Sequence, residues 1–134
     1  MILPIILLFA YANASPYNLT NVESCLSGST IKLYSLEFDN FPASGNDLTV
    51  NLKAEIMQQV LVDIITVNLV GQTYSKQQEF NVVIPPGPHS RIDFRQLITV
   101  ASSNQQSYVM QINVGNSQEN LACYQLVFGL WKNI

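Results

Sequence analysis

Leu48-Thr-Val-Asn-Leu-Lys-Ala-Glu55 is the stretch whose reading decides the fold class. Leu48, Val50, Leu52 and Ala54 alternate with Thr49, Asn51, Lys53 and Glu55. Successive side chains of a strand point to opposite faces, so this pattern is a β-strand with one face buried and the other in water. Upstream, Ile31-Lys-Leu-Tyr-Ser-Leu-Glu-Phe38 reads as another strand, separated from the first by the Pro42- and Gly45-containing loop from Asp39 to Asp47. Downstream, Val60 to Val70 is apolar on both faces apart from Asp63, Thr66 and Asn68, as expected of a central strand or one beside a cavity. Ile56, Met57, Val60 and Ile64 also fit helical spacing, but the richness in Val, Ile and Thr favours a strand.

The remaining chain continues in the same manner. Gly71-Gln72 turns the chain into Thr73 to Val83, and Pro85-Pro86-Gly87-Pro88, short of amide donors, makes Ile84 to Ser90 a loop. Arg91 to Ile98 sets Ile92, Phe94 and Ile98 on one face, with Gln96 interrupting. A closing hairpin joins Tyr108 to Val114, where Tyr108, Met110, Ile112 and Val114 share a face, to Leu121 to Leu130 through a turn at Gly115 to Asn120. Seven strands at this spacing predict an all-β, immunoglobulin-like β-sandwich of two sheets.

The apolar run from Met1, ending in the small-x-small pattern Ala12-Asn13-Ala14, reads as a signal peptide over residues 1–14, leaving one domain at 15–134. That leader sends the product to the secretory route, exported or held in the endolysosomal lumen. Cys25 and Cys123 then meet an oxidising compartment, and a Cys25–Cys123 disulfide is expected. Asn18-Leu19-Thr20 is a glycosylation sequon that survives cleavage. The six Lys and Arg side chains are scattered against nine Asp and Glu, a net charge of −3. Without a basic stripe, nucleic acid is excluded as a partner.

No constellation for catalysis emerges, and the chain reads as a non-enzyme needing no cofactor. His89, the single histidine, follows Pro88 on the proline loop and reads as a solvated loop residue. One His and two distant Cys cannot assemble a zinc set, so no metal is expected. Asp63 stands out inside the most apolar stretch. It reads as outward-facing or Arg-paired, with a polar anchor for a ligand headgroup as the sharper alternative.

Several motifs in order carry a resemblance: Cys25 with Ile31-Lys32-Leu33 and Leu36, the Pro42 loop, the Leu48 to Ala54 strand, Ile84-Pro85-Pro86-Gly87-Pro88, and Glu119-Asn-Leu-Ala-Cys123-Tyr-Gln-Leu-Val-Phe128. Together they resemble the ML lipid-recognition family, which includes the Niemann-Pick type C secreted sterol carrier and phosphatidylglycerol/phosphatidylinositol transfer proteins. The resemblance covers about residues 25–130 and implies a single sterol or phospholipid held in an apolar cavity between the two sheets. The first-to-last disulfide matches, whereas two further disulfides of many members have no counterpart here.

If the sheets splay, their inner faces become walls for a hydrocarbon guest. The candidate lipid-binding residues are Val50, Leu52, Val62, Ile64, Ile92, Phe94, Ile98, Tyr108, Met110 and Ile112. The resemblance points most directly to Ile92, Phe94 and Ile98. The expected behaviour is that of a monomeric lipid carrier making transient contact with membrane surfaces and, in some settings, with an acceptor protein. The alternative is an immunoglobulin-like interaction module or receptor co-factor with no transport role.

Overall fold

A computed structural model describes residues 17–18, 22–27, 30–39, 47–72, 74–100 and 107–129. The expected signal peptide at 1–14, most of the Pro42 loop, the 101–106 loop and Thr20 of the sequon lie outside the described residues. Nine strands are described: β1 (Tyr17–Asn18), β2 (Glu23–Ser24), β3 (Ile31–Phe38), β4 (Leu48–Ile56), β5 (Val62–Val70), β6 (Ser75–Ile84), β7 (Arg91–Ile98), β8 (Ser107–Gly115) and β9 (Asn120–Gly129). The seven long ones are the seven strands the sequence predicts. The helical reading of 55–70 is replaced by the end of β4, a short connection and β5.

Two antiparallel sheets pack face to face, one ordered β1-β3-β4-β7 and the other β2-β9-β8-β5-β6. The sandwich forms because each long strand offers an apolar face to the same interior. From the first sheet come Leu36, Phe38, Val50, Leu52, Ile92 and Phe94, and from the second Ile65, Val67, Leu69, Met110, Ile112 and Leu126, all buried. At about 25 cal/mol per Å² of apolar area removed from water, such facing surfaces dominate the favourable side of folding.

Strand order carries a consequence for the edges. In a constant-type immunoglobulin sandwich the fourth strand joins the first sheet. Here the fourth long strand, β6, stays beside β5, with pairs running from Val62↔Ile84 to Val70↔Ser75. Strands β6 and β7, consecutive in sequence, therefore become unpaired edges of different sheets that face each other across a seam. At this end the chain turns through the proline loop, pinned by backbone bonds from His89 N to Ile56 O (2.7 Å) and from Ile56 N to Ser90 O (2.8 Å).

Cys25 and Cys123 are disulfide-bonded across a sequence separation of 98. The bond ties the short β2 to β9, beside the backbone hydrogen bond from Cys25 N to Cys123 O of 2.9 Å. A disulfide is compatible with an extracellular or lumenal location. Among the described residues no helix is long and apolar enough to cross a membrane.

Two outcomes follow. Replacing both cysteines by serine is expected to lower stability by about 4 to 5 kcal/mol, the upper value for a loop of this length, read as a fall in the denaturant midpoint. At Gly87 an added Cβ would sit 2.3 Å from Gln58 O and 2.6 Å from Ile56 Cγ2. Gly87→Ala should thus destabilise by roughly 1 to 3 kcal/mol through forced displacement of that backbone, measured in the same way.

Candidate functional site at the seam between the sheets

The inward-phase side chains of β6 are Gln78, Phe80, Val82 and Ile84, and every one is only half-buried. Their counterparts on β7, Ile92 and Phe94, are buried. An edge strand has a neighbour on one side alone, and with β7 in the other sheet the described residues cover the outer flank of these side chains only in part. Alternation on β6 therefore ends in a partly open apolar wall.

One stretch of the seam is closed by the rings of Phe80 and Phe94, edge to face with centroids 5.4 Å apart. The Gln78 side chain marks another stretch, its Oε1 accepting from Thr99 N at 3.3 Å. Beyond the ring pair the seam opens into a cleft of about 310 Å³ lined by Ile65, Val82, Val83, Ile84, Arg91, Ile92, Asp93 and Phe94. Its floor is aliphatic and aromatic, and the charged members, Arg91 and Asp93, are exposed on the rim. Val83, wholly exposed, stands on the opposite rim.

Nine of the ten candidate wall residues are buried: Val50, Leu52, Val62, Ile92, Phe94, Ile98, Tyr108, Met110 and Ile112. Of these, Ile92 and Phe94 line the cleft. Ile64 is the exception and needs correcting. A bulge between Val62 and Ile64 shifts the phase of β5, so that Ile65, Val67 and Leu69 point inward and Ile64 falls on the half-buried opposite face. Alternation counted through an extra residue comes out one position wrong. Ile65, Phe80, Val82 and Ile84 were missed, although Phe80, Val82 and Ile84 keep the period of two that would have found them.

At the far side of the sandwich, Phe38 and Phe128 meet edge to face at 5.3 Å and bridge the sheets. Tyr124 also points inward from β9. Its hydroxyl is buried without a hydrogen-bond partner among the described residues, and burial raises its pKa. Asp63, at the β5 bulge, has a buried Oδ1 likewise without a partner among the described residues. It is neither fully outward-facing nor Arg-paired, and it does not line the cleft.

The outer face of the first sheet carries a second cluster. A bulge between Leu33 and Ser35 leaves Tyr34 without a direct partner on β4. Bulges re-aim the side chains they carry. Tyr34 Oη donates to Glu55 Oε1 at 2.5 Å, and Glu55 Oε2 is 2.9 Å from His89 Nδ1. His89 has the exposure expected of a solvated loop residue, yet it is also the partner of a strand carboxylate, at a left-handed φ of 70°. The Tyr34 hydroxyl and then His89 hold the Glu55 carboxyl below its ordinary pKa, while the same hydrogen bond raises that of Tyr34. Lys32 Nζ and the Arg91 guanidinium each lie 5.5 Å from the Tyr34 ring centroid. Among the described residues no three His, Cys, Asp or Glu side chains converge to hold a metal.

Searches against protein-family models and against curated proteins find no match to this chain.

The Tyr34–Glu55–His89 cluster makes a pH prediction. A depressed carboxyl pKa supplies stability above its unfolded value that is lost as pH falls through the folded value. A raised tyrosine pKa supplies stability below its unfolded value that is lost as pH rises through the folded one. By NMR titration, Glu55 should titrate below an ordinary glutamate, and Tyr34→Phe should move its midpoint upward by more than His89→Ala does.

Proposed function

We propose that this protein is a secreted or lumenal lipid-binding protein that takes up a single sterol or phospholipid through the β6–β7 seam and carries it between membranes. The observation that supports this most is the cleft itself: an opening between two sheet edges whose walls include Ile65, Val82, Ile84, Ile92 and Phe94, beside a largely apolar interior. Its volume lies at the low end of the range for small-molecule sites, about 300 to 1,000 Å³. It is large enough to receive the end of a hydrocarbon chain. Each methylene enclosed contributes about 0.8 kcal/mol, so a chain that displaces the Phe80 ring and moves deeper gains affinity with every carbon.

Two further features fit a carrier. Phe80 is half-buried on an edge strand, so its swing costs less than moving a ring in the centre of a sheet. Val83 is wholly exposed on the rim, and half-exposed Leu61 leads into Val62, the strand partner of Ile84. Together they offer apolar contact to a membrane surface beside the opening. The resemblance to the ML family points the same way, because it implies a lipid between the sheets.

Fluorescence titration with a labelled phospholipid and a labelled sterol tests this reading. At least one is expected to bind with one-to-one stoichiometry. Val82→Glu, which puts a carboxylate in the cleft wall, should weaken uptake about tenfold or more while circular dichroism stays unchanged. A wild-type protein that takes up neither probe, and whose organic extract contains no lipid, would reject the carrier reading.

A further inference from the structure

Tyr124 brings into the interior a hydroxyl that the fold leaves unused. The residue is 6% exposed, and its Oη is buried without a hydrogen-bond partner among the described residues. A donor in that position has given up its water on folding and recovered nothing in return, which is costly and rare in a native interior. Burial also raises the phenol's pKa, so the group stays protonated and able to donate.

Strand register fixes where this oxygen stands relative to the cleft. One inward row of the second sheet runs from Phe80 through Ile65 and Val114 to Ala122, and the next runs from Gln78 through Val67 and Ile112 to Tyr124. Tyr124 is therefore three strands in from β6, about 14 Å at the usual strand spacing, and one row along from the Phe80 ring. Past Gln78 and Phe80 at the edge, every residue before Tyr124 in these rows is aliphatic and buried. Side chains in the first row shrink from Phe to Ile, Val and Ala, so a tail that displaces Phe80 meets less bulk the deeper it goes. The row ends at Ala122, two residues from Tyr124 on the same face of β9.

We infer that Tyr124 is the inner polar anchor of the binding site, donating a hydrogen bond to a neutral oxygen on the tail of a lipid whose head stays at the seam. The inference rests on the carrier reading and narrows the cargo to lipids oxygenated at both ends, with a hydroxyl or carbonyl on the tail of a sterol or acyl chain. The head stays outside because Arg91 and Asp93 stand exposed on the cleft rim, where a polar group keeps its water. The tail oxygen is uncharged because, among the described residues, no charged side chain is buried to balance a carboxylate. A plain hydrocarbon tail leaves the phenol unpaired in the bound protein as in the free one. An oxygenated tail pairs it, so this one hydroxyl discriminates between the two.

The test uses two matched pairs of radiolabelled lipids on the purified protein: cholesterol with side-chain-hydroxylated cholesterol, and palmitic acid with ω-hydroxypalmitic acid. In equilibrium binding, the wild type should hold the tail-hydroxylated member of at least one pair about tenfold tighter than its plain partner. Tyr124→Phe removes one oxygen and keeps the ring. In that variant the preference should disappear, because the tail oxygen enters without a partner, while the denaturant midpoint of the ligand-free protein holds or rises. Equal affinities within both pairs, or a preference that survives in Tyr124→Phe, would overturn the anchor and leave the carrier reading in place. So would a lower midpoint for the ligand-free variant, which would reveal a partner for the phenol within the fold. Uptake of none of these lipids by a protein that takes up the labelled phospholipid would also overturn it. Uptake of none, the phospholipid included, would remove the carrier reading and this inference with it.

Discussion

The packing of two apolar sheet faces against each other is the interaction on which the rest of this molecule depends. Every long strand contributes alternate residues to it, and the aromatic contacts Phe38–Phe128 and Phe80–Phe94 each join one sheet to the other. The two contacts are not equivalent. Phe38 and Phe128 are both buried, whereas the Phe80 ring is half-buried on an edge strand. One side of the sandwich is therefore sealed by burial, and the other is held by a ring pair with one half-buried member.

That asymmetry originates in strand order. With β6 hydrogen-bonded to β5, no backbone bond links the edges of β6 and β7, and their approach depends on side chains alone. Side-chain contacts between edges are weaker and more easily exchanged than a ladder of backbone bonds, so the seam is the place where the two sheets part at least cost. The disulfide lies at β2 and β9, on strands remote in the sheet order from β6, and restrains the opposite flank.

The outer face of the first sheet depends on the same edge. Because β7 is a margin, its outward residues Arg91 and Asp93 stand at the boundary between the aqueous face and the cleft. The bulge at Tyr34 and the anchored proline loop then bring an aromatic ring and His89 to Glu55, residues separated by 21 and 34 positions in sequence. An apolar interior and a charged surface are joined here across the width of one strand.

All seven long strands were legible in the sequence, because β-branched and aromatic content, turn residues between segments and, in several, period-two burial are local properties of each segment. The inward set was legible for Val50, Leu52, Ile92, Phe94, Tyr108, Met110 and Ile112 for the same reason. It failed at Ile64, where a bulge inserts one residue and inverts the phase, an event set by pairing with β6 rather than by the segment's own pattern. The paired cysteines could be read from their number and from the oxidising compartment the sequence predicts. What the tertiary structure alone decided is which strand edges are left facing each other. Strand order depends on contacts between distant segments, and from it follow the seam, the cleft beside Phe80, and the meeting of Tyr34, Glu55, His89 and Arg91 on one surface.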